Sequence, residues 1–132
     1  MNLYAINSIR TNNFEDEQMM SKIQTMWEEA FRQLGKYRGN VYGLYYDYQS
    51  NYRGDYSLSV AIEEDRGGAR FHLPNHDRYE VFKVDTADEQ GLLKAWSKIW
   101  DQEEAGLLKR TYSCDFEKYY PAGEVEIYIA IH

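Results

Sequence analysis

The residues best placed to do chemistry lie in the stretch "YSCDFEKYY", Tyr112 to Tyr120, where Asp115 and Glu117 stand among aromatic side chains. A carboxylate in an apolar, aromatic setting is costly to ionise unless a positive charge comes to it; without one its pKa rises. A delocalised organic cation would offer its charge to the acid and its faces to the rings, with each cation–π contact contributing roughly 0.5–2 kcal/mol. Recognition by flat rings and one charge specifies little hydrogen-bond geometry, so such a site would be promiscuous. Period-two alternation puts Asp115 and Glu117 on one side of a strand; Asp115 reads as structural and Glu117 as the candidate counter-ion. The competing reading of Glu117 is a solvated strand-end acid, or an ion-pair partner of Lys118 or Arg110. Cys114 alternates within the same strand and reads as packing. His72 and His76 form an H-x3-H spacing beside Asp77, but in a proline-containing loop rather than on a helix face, so no metal site is expected. Neither a glycine-rich phosphate loop nor a Ser/His/Asp constellation is visible, and no cofactor is expected.

The chain that must position these residues has 132 residues and is 43% hydrophobic, enough for one domain with one core. Thirteen tyrosines are an unusual way to fill it; tyrosine adds rings that also seek a hydrogen bond, which suits a cavity for flat ligands as well as half-buried strands. The net charge of -7 and the lack of any basic cluster argue against direct nucleic-acid binding, which relies on Lys and Arg to displace counterions from phosphates. The lone Cys114 fits a reducing compartment. The N-terminus lacks a signal pattern and no apolar run is long enough for a membrane. A cytoplasmic protein is expected.

Two helices are predicted. The first starts at Asn13 as cap and exits at Gly35, with Met19, Ile23, Met26, Ala30 and Leu34 at helical spacing. The second opens with the capping box "TADE" at Thr86, carries Leu92, Leu93, Trp96, Ile99 and Trp100, and stops by Gly106. Strand patterns precede each helix ("LYAINSI", "YEVFKV") and two follow each: "NVYGLYYDY" and "YSLSVAI", then "RTYSCDF" and "VEIYIAI". The halves, about 1–65 and 77–132 around a connector at 66–76, are both strand, helix, strand, strand. Trp27 and Trp96 are 69 apart (96 − 27), as are Tyr56 and Val125 (125 − 56) at the heads of two alternating runs. Tyr42 and Tyr112, taken as strand starts, are 70 apart (112 − 42), a register that sets Asp47 on Glu117 and suggests Asp47 as a second counter-ion. The expected fold is α+β: duplicated β-α-β-β units forming one antiparallel sheet, with two helices on one face and a ligand groove between the halves.

The strand "YEVFKV", the helix "LLKAWSKIW", then "DFEKYY" and "VEIYIAI" resemble the GyrI-like effector-binding domains found alone or in Rob/BmrR-type regulators. The likeness is clearest over Tyr79 to Ile131. It implies a pocket for amphipathic, often cationic molecules, with Glu117 as counter-ion and Trp96, Tyr112 and Tyr128 as walls, faced by Tyr46 and Tyr48 from the first half. Trp27 is assigned to the core, and Tyr42, Tyr45, Tyr52 and Tyr56 to packing or surface. Arg78, Asp85-Thr86 and Tyr120 replace residues common in the family, so the entry loop is expected to differ. Nothing resembles a helix-turn-helix, and a stand-alone binding module is expected. Two alternatives use other chemistry. One is a hydrolase of electrophilic small molecules in which Glu117 activates water; the other is a protein–protein inhibitor acting on gyrase or a transcription regulator through the acidic surface. A haem protein is a distant further reading.

Overall fold

The computed structural model describes residues 1–74 and 78–132, so His76 and Asp77 of the H-x3-H spacing lie outside the described residues. The elements are β1 (Asn2–Thr11), α1 (Met19–Leu34), β2 (Val41–Tyr46), β3 (Tyr56–Ile62), β4 (Arg70–His72), β5 (Tyr79–Lys83), α2 (Gly91–Glu104), β6 (Cys114–Tyr119) and β7 (Val125–Ala130). The strands form one antiparallel sheet in the order β4-β1-β3-β2-β6-β7-β5, curled into a half-barrel. Its centre is the β2–β6 seam, flanked on one side by β3 and β1 and on the other by β7 and β5, which is the order two repeated units give when they meet about a twofold axis. The α+β architecture expected from the sequence is the one observed. The connector differs, because Arg70–His72 forms an extra edge strand on β1.

Both helices start later than their sequence signals suggest. Asn12 Oδ1 accepts the amides of Phe14 and Glu15, and Asp16 Oδ1 accepts that of Gln18. In the second half, Asp85 and Asp88 accept the amides of Ala87 and Gln90. These side-chain turns take the amides that a helix beginning at Asn13 or Thr86 would need, and the capping box does not form. A repeat marks the true entries: "DEQ" at Asp16–Gln18 and again at Asp88–Gln90, each followed by a lysine, Lys22 or Lys94, that reaches back to the aspartate at 2.6 Å. The Lys22 hydrogen bond, with others from Thr11 and Gln18, holds the Asp16 carboxyl down to about 2. Gly35 ends α1 with φ 56°, a left-handed conformation that favours glycine.

Strand parity decides what each face holds. Tyr42, Leu44, Phe116, Tyr128 and Ala130 point away from the helices and pack with Leu3, Leu73 and Tyr79. Phe116 and Tyr128 stack there at 4.5 Å, an arrangement worth about 0.5–1.5 kcal/mol beyond the area it buries. On the helix face two separate clusters form: Met26 and Ala30 of α1 with Tyr56, Leu58 and Val60 of β3, and Ile99 of α2 with Leu108 and with Ile127 and Ile129 of β7. The helices thus pack on the sheet separately, and a space opens between them.

Candidate ligand-binding site

That space is a cleft of about 620 Å³, well within the range of small-molecule pockets. Met19, Met20, Ile23 and Trp27 of α1 form one wall, and Leu92, Leu93, Trp96 and Trp100 of α2 the other. Tyr45, Tyr48, Tyr52, Tyr56, Tyr119 and Glu117 make the floor and one end.

Glu117 is 3% exposed at the centre of the seam. Its Oε2 accepts from the Tyr45 hydroxyl and from Trp96 Nε1, both at 2.8 Å, and its Oε1 accepts from the Tyr119 hydroxyl at 2.6 Å. All three donors are neutral, and no Lys, Arg or His among the described residues pairs with this acid. Burial raises its pKa above the usual carboxylate value, and the three hydrogen bonds pull it part of the way back. Burial also pushes the Tyr45 and Tyr119 phenols well up, with the neighbouring Glu117 adding to the effect, so both keep their protons and donate. Gly43 sits directly across the seam from Glu117. A Cβ there would stand 3.1 Å from Glu117 Oε1 and 3.3 Å from Trp27 Cζ2, so the glycine makes room for both.

Two residues back along β6, Asp115 has the opposite fate. It is wholly buried, and its Oδ2 lies 2.8 Å from Arg110 Nη2 while its Oδ1 accepts the Ala130 amide at 2.7 Å. The Tyr48 hydroxyl donates to the same carboxylate. Arg110 also reaches Glu103 at 3.3 Å, and its guanidinium lies 4.2 Å from the centre of the Tyr112 ring. The positive charge at this end is therefore spent on Asp115 and Glu103. Glu117 on the floor has no counter-charge among the described residues.

Of the residues singled out in the sequence, the structure brings Glu117, Trp96 and Tyr48 together in the cleft. Tyr112 stands just behind, edge-on to Tyr48 at 5.1 Å and hydrogen-bonded to Glu103. It does not start a strand: its φ of 57° places it in a turn before β6. Tyr46 and Tyr128 lie on the opposite face, because Tyr46 pairs with Cys114 and Tyr128 with Phe116, both of the other parity from Glu117. Asp47 lies past the end of β2, also at positive φ, and is not part of the cleft. The registers show why. Tyr45 pairs with Leu58 and Glu117 with Ile127, and Leu58 and Ile127 are 69 apart (127 − 58), so the counterpart of Glu117 in the first half is Tyr45. The duplicated position supplies a hydrogen-bond donor to the acid, not a second acid. Tyr45, Tyr52, Tyr56 and Trp27, assigned from the sequence to packing, surface or core, all line the cleft. Trp27 stands edge-on to Tyr119 at 5.1 Å. The signal that could have found Tyr45 and Tyr56 is their shared parity with Glu117 across β2, β3 and β6.

A curled antiparallel sheet with two separated helices and an aromatic cleft is the frame of a small-molecule-binding domain. The chain belongs to the Cass2 family of integron-associated effector binding proteins, whose family model matches residues 4–131. Among solved structures it is similar to an integron cassette protein from the mobile metagenome of Vibrio cholerae, at 26% identity and a TM-score of 0.79, over 100% of this chain and 90% of that one. It also shares its fold with SAV2435, a protein solved bound to tetraphenylphosphonium, at 15% identity and a TM-score of 0.70, over 100% of this chain and 88% of that one. No match was found among curated protein sequences. Among the described residues no cluster of three or more His, Cys, Asp or Glu could hold a metal ion, and no helix is long and apolar enough to cross a membrane.

Proposed function

We propose that the protein binds amphipathic organic cations in the cleft between α1 and α2, as a sensor or a sequestering protein, with Glu117 as counter-ion. The observation that carries this reading is a carboxylate at 3% exposure on the floor of an aromatic cleft, held by three neutral donors and by no cation among the described residues. The donors fix the carboxylate in place and leave its charge unbalanced. A lipophilic cation supplies the balance without needing directional hydrogen bonds, and the rings of Trp27, Trp96 and Tyr119 offer it faces. The effector-binding family and the tetraphenylphosphonium bound to a protein of the same fold support this reading.

The test holds shape constant and reverses charge. Calorimetric titration with tetraphenylphosphonium and with tetraphenylborate should show binding of the cation and none of the anion. Equal binding of the two would mean that shape alone is recognised, and the counter-ion role would be wrong.

A further inference from the structure

The cleft is not the same at its two ends, although the halves that build it are repeats. At the end near the start of α1, Phe14 and Tyr52 close against Trp100, with Tyr52 stacked on that indole at 5.2 Å and 11°. The β2–β3 loop that carries Tyr52 is tied across to α2 by its hydroxyl bond to Glu104 at 2.7 Å. The "DEQ" repeat gives each helix entry a glutamate, Glu17 in the first half and Glu89 in the second. Glu17 does not reach the cleft, whereas Glu89 lines it. Only Glu89, Arg110 and Glu117 among the lining residues are charged, and Arg110 is held by Asp115 and Glu103. Glu89 is exposed and makes no hydrogen bond or ion pair among the described residues. The two unspent charges of the cleft are thus both carboxylates, one buried at its floor and one exposed beside the start of α2.

Their spacing follows from α2. Trp96 donates to Glu117, and Glu89 stands in the turn just before α2 begins at Gly91, with Leu92 and Leu93 of the first helical turn between it and Trp96 along the cleft lining. From Gly91 to Trp96 the helix rises about 7 Å at roughly 1.5 Å per residue, so the first turn of α2 stands between Glu89 and the indole that holds Glu117. We infer that Glu89 is a specificity-determining residue that makes the cleft prefer elongated dications, with one charge at Glu117 and the second at Glu89, beyond the first turn of α2. The apolar middle of such a ligand would lie over Leu92, Leu93 and Trp96. This rests on the counter-ion role of Glu117 and adds a second charge to the ligand class.

The experiment uses 4′,6-diamidino-2-phenylindole, a rigid fluorescent dication, and its counterpart lacking one amidine. Both are titrated against wild type, Glu89→Gln and Glu117→Gln at low and high salt. A solvent-exposed carboxylate is screened, so wild type should prefer the dication by about three- to fivefold at low salt, and the preference should fade at high salt. In Glu89→Gln the ratio of the two affinities should fall to near one. An unchanged ratio, or an equal loss for both probes, would overturn the role of Glu89. If instead Glu117→Gln left the mono-amidine affinity where it was, the counter-ion reading itself would fail, a result separable from the Glu89 ratio.

Discussion

Glu117→Gln is expected to weaken tetraphenylphosphonium binding by about 100-fold at neutral pH while making the free protein more stable. The loss follows from removing one partner of a desolvated charge pair, which typically costs 2–5 kcal/mol. The gain follows from the site's own energetics. Glutamine fits the network, because its oxygen can accept from Tyr45 and Trp96 while its NH2 donates to the Tyr119 hydroxyl oxygen. It also removes a charge whose burial is unbalanced. The folded-state pKa of Glu117 is raised. The stability linked to its proton is therefore fully present below the unfolded value, about 4.3, and is lost as pH rises through the higher folded value. Above that higher value wild type has lost the contribution, whereas glutamine stays neutral at every pH, so there the variant's melting temperature should be higher by a few degrees. In wild type, affinity for the cation should fall as pH drops through the same raised value, because the protonated acid carries no charge to pair. Calorimetric titration and thermal unfolding measure both effects, and a variant that lost binding and stability together would point to a merely structural acid.

Arg110→Met is expected to destabilise the protein by about 3–5 kcal/mol, the usual cost of leaving a buried charge without its partner. The Arg110 side chain is 1% exposed and that of Asp115 0%, so water cannot take over the lost interaction. The damage should reach the site, since Asp115 anchors Tyr48 and the guanidinium supports the Tyr112 ring. Adding Asp115→Asn should recover much of the loss, because the amide oxygen still accepts from Ala130, the wholly buried charge is gone, and the partly exposed Glu103 keeps its hydrogen bond from Tyr112. Urea unfolding of the single and double variants measures this. A single variant as stable as wild type would show that the pair contributes nothing.

The architecture was legible because each half repeats one order of elements and because polar turn residues separate alternating runs. Glu117, Trp96 and Tyr48 were legible through the resemblance to the effector-binding domains; strand parity alone would set Tyr48 with Tyr46, and it reaches the cleft because β2 ends at Tyr46 and the chain turns at Asp47. Tyr46 and Tyr128 were misplaced because β2 and β7 bury apolar side chains on both faces. "VYGLYY" therefore offers no polar side from which to read direction, and the single charged residue of "VEIYIA", Glu126, stands on the Tyr128 side. The pairing of Gly43 with Glu117 is what resolves it, and a pairing register is not written in one strand. Trp27 was assigned to the core because an apolar helix stripe looks the same whether it covers a sheet or walls a cleft. Asp47 was drawn in by a repeat offset two residues short; the offset was anchored on Tyr112, which the fold puts in a turn.

The most direct test of the account is the titration of Glu117 itself, followed through its side-chain carboxyl carbon by NMR in the free protein and with tetraphenylphosphonium added. The account predicts a midpoint above the ordinary glutamate value of about 4.3 in the free protein, and a lower midpoint once the cation is present. An ordinary midpoint in the free protein, or one that stays put when the cation binds, would contradict it.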